Sequence, residues 1–274
     1  MPEGHTIHRL AADHRDRFGG RAVRASSPQG KFSDSAALLD RQVMTGTEAH
    51  GKHLFLGFGA TGWVHVHLGL IGKVTFGDGK APPATATATV RLRLANGAHW
   101  ADLRGPAACE LITEPEKRAI HDRLGPDPLR PDDGPDAVWR RLSRSRISVA
   151  ALLMDQKVIA GVGNVYRAEV LFRHGVDPFL PGRELPRETW DAMWSDLVTL
   201  MREGVRTNRI DTVRPEHEPE AMGRPPRKDD HGGEVYVYRR TGQPCLVCGG
   251  EIRTQPLAAR NLFWCPVCQP GHHG

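Results

Sequence analysis

Apolar residues near the start of the chain recur at helical spacing. Ile7, Leu10, Ala11 and His14 fall on one helical face, and Gly19-Gly20 ends the run, so residues 3–18 are expected to form one amphipathic helix. The period then shortens to two. KHLFLGF, WVHVHLGL and KVTFG read as short strands separated by glycines. The clearest case is TATATVRLRLANGAHWADL. There Val90, Leu92 and Leu94 alternate with Arg91 and Arg93, and Asn96-Gly97 supplies a hairpin turn. Several such strands in succession predict an antiparallel sandwich or barrel.

The pattern changes from about Glu114. LGPDPLRPDDGPD is rich in proline and aspartate and reads as a connector between domains. Helical periodicity follows it. ISVAALLMDQ is a short helix with Ser148 as its N-cap, and NVYRAEVLFRHG is a second that ends near Gly175. In TWDAMWSDLVTLMREGVR, the residues Trp190, Met193, Trp194, Leu197, Leu200 and Met201 make a core-facing stripe. Residues 211–233 are polar and broken by prolines and glycines, as in a mobile loop, and no repeat of solenoid or propeller period occurs.

Composition narrows the classes. At 274 residues, with 39% hydrophobic and 25% charged positions, the chain is long enough for two ordinary globular domains. No apolar run approaches the roughly 20 residues of a membrane span. The N-terminus lacks the basic-then-apolar order of a signal peptide, so a cytoplasmic protein is expected, with no membrane partner. A net charge of +5 is compatible with a polyanionic partner without requiring one. Five cysteines in such a chain argue against a disulfide framework. Cys109 stands alone and reads as a small buried apolar residue.

The other four cysteines form two pairs, Cys245-x2-Cys248 and Cys265-x2-Cys268, sixteen residues apart. Each pair sets two sulfurs on one side of a tight turn, and two such turns give a closed tetrahedral site for one structural Zn2+. YVYRRTGQP before the quartet, with EIRTQP and RNLFWCP inside it, read as the strands of a zinc ribbon. Arg260 sits on the hairpin, five residues before Cys265. It is either an exposed turn residue or one aimed at a ligand. In AGVGNVYRAE, Gly161 and Gly163 permit a sharp turn and Asn164 begins a helix. An asparagine there caps the helix, and the N–H groups behind it can hold a phosphate. Arg140, Arg141, Arg144 and Arg146 add positive charge before this helix pair or form a solvated face.

The opening Pro2-Glu3, taken alone, is helix punctuation: proline suits the first helical position and an acid suits the first turn. Together with the other motifs it resembles the Fpg/Nei family of DNA glycosylases. PEG, GKHLFL, HLGLIG, DLR, LGPDPL, LLMDQKVIAGVGNVYRAEVLF and RTGQPCLVCGG…RNLFWCPVCQ carry the resemblance in order over essentially the whole chain, most like endonuclease VIII-type members of actinobacteria. It implies an α+β chain of two domains: an N-terminal antiparallel β-sandwich with an N-terminal helix, and a C-terminal helix–two-turn–helix domain with a zinc ribbon. The boundaries expected are residues 1–113, a linker at 114–137, the helical domain at 138–234 and the zinc ribbon at 235–274. A monomer acting on double-stranded DNA with damaged bases or abasic sites is implied, the duplex lying in the cleft between the domains.

By position, the resemblance makes Pro2 the nucleophile once Met1 is removed, Glu3 the acid/base carboxylate and Lys52 a phosphate contact beside the lesion. Asn164 and Arg260 become the phosphate clamps of the two-turn motif and the ribbon, Leu70 a filler of the vacated stack, and Arg104 the residue facing the orphaned base. The chemistry suits these residue types. An α-amino group titrates about two units below lysine, and a helix N-terminus lowers it further. A secondary amine attached to C1′ yields a permanently charged iminium, which acidifies the C2′ proton and permits phosphate elimination. Where family members read PEGPE or PELPE, His5 and Thr6 stand here. Pro106 replaces the aromatic wedge of the DxRRFG stretch, which leaves void filling either incomplete or done by Leu70 and Ile71. Base excision with β,δ-elimination on oxidised pyrimidines is the leading expectation. Oxidised-purine excision, a non-catalytic damaged-DNA-binding protein and a zinc-ribbon adaptor remain as alternatives.

Overall fold

A computed structural model describes residues 2–79, 89–228 and 233–271. Residues 85–88 of the threonine-alanine run and residues 229–232 of the polar loop lie outside that set. The chain divides into two compact units, Met1–Arg123 and Leu124–Gly274.

The first unit opens with helix α1 (Gly4–Phe18), whose buried face carries Ile7, Leu10, Ala11, His14 and Phe18, as its spacing predicts. Strand β1 (Arg24–Ser26) and helix α2 (Ser33–Leu39) follow, then β2 (Gly46–His50), β3 (His53–Gly57), β4 (Trp63–His67), β5 (Lys73–Asp78), β6 (Val90–Ala95), β7 (His99–Arg104) and β8 (Ala108–Ile112). They form two antiparallel four-stranded sheets, ordered β1-β6-β7-β5 and β2-β3-β4-β8. Leu54, Leu56, Val64 and Val66 of one sheet share a core with Leu92, Leu94, Ala101 and Leu103 of the other, which makes the expected sandwich. Asn96 closes the β6–β7 turn by accepting the N–H groups of Ala98 and His99.

Helix α3 (Glu114–His121) occupies the start of the stretch expected as linker. Thr113 and Glu116 form a reciprocal capping box at its N-terminus, and Lys117 reaches Glu48 on β2 at 2.7 Å. The other face of β2-β3-β4 is therefore covered, and Phe55 there is fully buried against His65 and His121.

The second unit holds α4 (Pro135–Leu142), α5 (Val149–Leu152), α6 (Asn164–Arg173) and α7 (Arg187–Thr207), then the hairpin β9 (Arg253–Leu257) and β10 (Arg260–Trp264). Ser148 is the N-cap of α5, as expected. The α7 stripe is buried at Trp190, Met193, Trp194, Leu197 and Met201, with Leu200 partly covered. Ile252, Leu262, Phe263, Cys245 and Cys265 belong to the same core as α6 and α7, so the ribbon is packed onto the helices. YVYRRTGQP is not a strand. The N–H groups of Tyr236, Val237 and Tyr238 go instead to the buried carboxylate of Glu169, at 2.7–2.9 Å. Thr212 donates its hydroxyl to that carboxylate too, at 2.6 Å, so Glu169 holds both feet of the polar loop. Among the described residues, no helix is long and apolar enough to cross a membrane.

Candidate active site

Pro2 is not the first helical residue. Glu3 is the N-cap of α1 with extended backbone, φ −118° and ψ −176°, and Pro2 lies one residue outside it. Punctuation by Pro2 at the first helical position is thereby ruled out. Glu3 is 0% exposed, and its side chain makes no capping bond; only its carbonyl oxygen takes part, accepting from Thr6 N–H at 3.0 Å. A carboxylate is thus held directly behind the imino residue, at the positive end of a fifteen-residue helix. His5 is buried next to it, and burial pushes its imidazole down to about 4, so it is neutral at neutral pH.

Lys52 lies in the two-residue turn between β2 and β3, which Gly51 enters at φ +57°. Histidines flank and underlie this turn. His50 Nδ1 meets His121 Nδ1 at 2.9 Å, and His53 Nδ1 meets His65 Nε2 at 2.8 Å. Burial, reinforced by His65 and His67, pushes His53 down to about 3, so the pair stays neutral and rings stack beneath the turn. His67 Nδ1 accepts Gly69 N–H at 3.2 Å, which places the proton of its neutral form on Nε2. Burial, with the charges of His65 and Lys52, also lowers the His67 pKa. The alternate histidines of WVHVH and the pair around Lys52 were visible in the sequence, but strand periodicity explains their spacing without assigning them chemistry.

Two turns adjoin at the end of this unit. Leu70 and Ile71 project from one, 57% and 82% exposed. The other follows Arg104, where Gly105 has φ +58°; a Cβ there would stand 3.7 Å from Ile71. Ala107 N–H binds His67 carbonyl at 2.9 Å and ties the turns together. Pro106 is buried, whereas Leu70 and Ile71 are the exposed apolar side chains of these two turns. Cys109 is buried and its thiol is pushed up to about 12 by burial, which fits its reading as an apolar residue.

In the second unit, Gly163 is the N-cap of α6, with φ −123° and ψ −160°, and Asn164 is the first helical residue. The expected asparagine cap is therefore replaced. The amide of Asn164 turns sideways, its Nδ2 donating to the Asn261 carbonyl on β10 at 2.9 Å and its Oδ1 accepting from Arg167. Arg167 is fully buried in α6, and its guanidinium also faces the carbonyls of Ala150 and Leu257 at 3.4 Å. With Oδ1 so engaged, the remaining capacity of Asn164 is a donor, which suits an anion. Arg260 opens β10 next to Asn261, after Ala258 and Ala259 at φ +52° and +57°. Arg140, Arg141, Arg144 and Arg146 are exposed.

The four ribbon sulfurs lie within 4.8 Å of one another, with Cys245–Cys268 at 3.8 Å and Cys248–Cys265 at 3.4 Å. Zinc–sulfur bonds of about 2.3 Å in a tetrahedron require sulfurs about 3.8 Å apart, so the residues fit one structural Zn2+. Backbone N–H groups of Val247, Gly250 and Cys268 point at the sulfurs at 3.4–3.5 Å. Gln269, a residue the sequence did not single out, braces the second knuckle. It accepts from Cys265 N–H at 3.1 Å and donates to the Val176 carbonyl at 2.9 Å. Four thiolates leave no open coordination position, so the ion belongs to folding and takes no part in chemistry.

Residues 1–109 match the formamidopyrimidine-DNA glycosylase N-terminal domain, 124–214 its H2TH domain, and 242–271 the zinc finger found in FPG and IleRS. The chain is 51% identical over 273 residues to endonuclease 8 1 of Mycobacterium tuberculosis, covering 98% of this chain and 100% of that protein. It is 30% identical over 242 residues to formamidopyrimidine-DNA glycosylase of Desulfitobacterium hafniense, covering 87% and 85% of the two chains. Among solved structures, Lactococcus lactis formamidopyrimidine-DNA glycosylase bound non-covalently to DNA with an AP site shares the fold at TM-score 0.76 and 20% identity, over 98% of this chain and all of that one. The same enzyme bound to DNA with an oxidised pyrimidine gives the same values.

Proposed function

The chain belongs to the formamidopyrimidine-DNA glycosylase and endonuclease 8 family, and we propose that it excises oxidised pyrimidines from double-stranded DNA and then cuts the strand by β,δ-elimination. One observation carries the catalytic reading. Glu3 is 0% exposed, ends no helix bond with its side chain, and stands directly behind Pro2. The 51% identity to an endonuclease 8 supports pyrimidines over purines as the substrate class.

With Met1 removed, the Pro2 nitrogen attacks C1′ of the extruded nucleotide, and the glycosidic bond breaks with its electron pair leaving on the base. Glu3 protonates the opening sugar oxygen O4′, leaving an iminium between Pro2 and C1′. Loss of the C2′ proton expels the 3′ phosphate; loss of a C4′ proton then expels the 5′ phosphate. Water hydrolyses the remaining iminium and restores Pro2. Lys52, Asn164 and Arg260 hold backbone phosphates, and the Nε2 proton of His67 adds a neutral donor beside Lys52. Leu70 and Ile71 enter the vacated stack, and Arg104 faces the orphaned base. The zinc ribbon presents Arg260 and takes no step in the reaction.

Borohydride trapping on DNA with an abasic site tests this directly. The linked peptide should carry the adduct on Pro2, and undiminished trapping when Pro2 is replaced would overturn the nucleophile. Thymine glycol or dihydrouracil should be cleaved faster than 8-oxoguanine opposite cytosine; the reverse order would overturn the substrate class.

A further inference from the structure

Asp102 carries no surface exposure at all, and three charge-assisted bonds converge on its carboxylate. Arg93, its partner across the β6–β7 ladder, binds both oxygens: Nε to Oδ1 at 2.7 Å and a terminal nitrogen to Oδ2 at 2.8 Å. That fork alone satisfies a buried carboxylate. Oδ2 nevertheless accepts a third bond, from a terminal nitrogen of Arg104 at 2.9 Å. Arg104 lies two residues further along β7, on the same face of the strand, and its side chain is 25% exposed. One carboxylate therefore serves two guanidinium groups, and a positive charge stays on the outer one.

The β6–β7 alternation predicts Arg93 on the solvent face, yet Arg93 is buried with Asp102. The register shift between Val90 and Leu92 falls immediately before it. Arg93, Asp102 and Arg104 share the sheet face opposite Leu92, Leu94 and Leu103, so period two is kept there, and the exposed member of the three is Arg104. Beyond Arg104 the chain turns at Gly105 against Ile71, so Arg104 is fixed at the edge of the apolar tip.

We infer that Asp102 is a positioning residue which clamps the Arg104 guanidinium in one orientation, so that its outward N–H groups discriminate among orphaned bases. The inference rests on the assignment of Arg104 to the orphaned base. A guanidinium only donates, so it distinguishes bases by where their acceptors lie, and that requires a fixed plane. Held by one terminal nitrogen, Arg104 keeps its other N–H groups for such a contact; released, it donates to any base by rotating. Arg93 supplies the counter-charge that lets Asp102 remain buried and ionised beneath it.

The test compares Asp102→Asn, Arg104→Gln and the double variant on one lesion placed opposite each of the four bases. Wild type should show unequal kcat/KM values, and each single variant should narrow the spread between best and worst partner by roughly tenfold. The double variant should narrow it no further. Cleavage of single-stranded abasic DNA, which has no orphaned base, should be much less affected in Asp102→Asn. Equal losses on all partners with the spread preserved would reduce Asp102 to a structural ion pair and overturn the inference. If Arg104→Gln itself preserves the spread, the assignment of Arg104 fails first and the inference fails with it. If Asp102→Asn does not fold, guanidinium NMR of the unsubstituted protein decides: hindered rotation with separate terminal-nitrogen signals for Arg104 supports the clamp, and averaged signals overturn it.

Discussion

The side-chain amide of Asn164 donates to the main-chain carbonyl of Asn261 at 2.9 Å, joining the first turn of α6 to the zinc-ribbon hairpin. Arg167 locks that arrangement from below, since it bonds Asn164 Oδ1 and faces carbonyls on α5 and on the hairpin. Asn164 and the β10 strand that opens with Arg260, the two proposed phosphate contacts, are thus both braced by one buried guanidinium. Arg167→Met should cost about 1–3 kcal/mol of stability through the acceptors it abandons. It should also weaken DNA binding at least as much as Asn164→Ala, and the two substitutions together should be less than additive. Binding isotherms over a salt series check this; strictly additive losses would separate Arg167 from the clamp.

Zinc removal should reach beyond the ribbon. Cys265 is fully buried in the same core as Leu262, Phe263, α6 and α7, and Gln269 ties its knuckle to Val176. Structural zinc in finger peptides contributes roughly 10–16 kcal/mol, so its loss should lower the thermal midpoint of the whole second unit. Cys265→Ser and exhaustive chelation should give the same calorimetric trace and the same loss of DNA binding. A chelated protein that melts at the original temperature would show the ribbon to be energetically separate.

Helices α1, α5, α6 and α7, most of the strands and the zinc site were legible because each follows a period or a spacing that backbone geometry imposes, whereas α2, α3 and α4 were not foreseen. The Ile7–His14 face, the Asn96-Gly97 turn and the paired Cys-x2-Cys knuckles are of this kind. What escaped depends on long-range partners. Tyr236–Tyr238 have strand composition, yet their N–H groups find Glu169, some seventy residues earlier in the chain, in place of a neighbouring strand. Asn164 has cap composition, yet Arg167 and Asn261 draw its amide away. Helix α3 did carry a local signal, the Thr113–Glu116 capping box, which the surrounding prolines and aspartates obscured. At the candidate site, Pro2 and Glu3 were ambiguous because their spacing suits a helix start, and the burial of Glu3 without a capping bond is the observation that favours the proposed catalytic reading.

Leu70 and Ile71 should matter to base excision and not to folding. Both side chains are exposed, so Leu70→Ala and Ile71→Ala should change stability by less than about 0.5 kcal/mol. Insertion into the vacated stack removes that apolar surface from water, and a buried leucine or isoleucine is worth about 1.5–3 kcal/mol. Excision from duplex DNA should therefore slow by roughly 10- to 100-fold in each variant, while cleavage of single-stranded abasic DNA stays near wild type. Equal slowing on single and double strands would remove these residues from the wedge.

Acid should destabilise the first unit well above the carboxylate range. Burial holds His5 and His14 down to about 4 and His53 down to about 3, whereas a histidine in the unfolded chain titrates near 6.5. Between these values the unfolded chain binds more protons than the folded one, so stability rises with pH there. The contribution is complete above about pH 6.5 and is lost as pH falls toward the folded values, by at most about 1.4 kcal/mol per pH unit for each residue. The thermal midpoint should be nearly level from pH 7 to 8 and fall steadily from pH 6.5 to 4.5. His53→Gln should make that fall shallower, because one of the three groups no longer titrates. DNA binding by the folded protein should not follow this window, because His53 beneath the Lys52 turn stays neutral until the pH approaches about 3. A midpoint that stays level down to pH 4.5 would mean that these imidazoles are hydrated and charged in the folded protein.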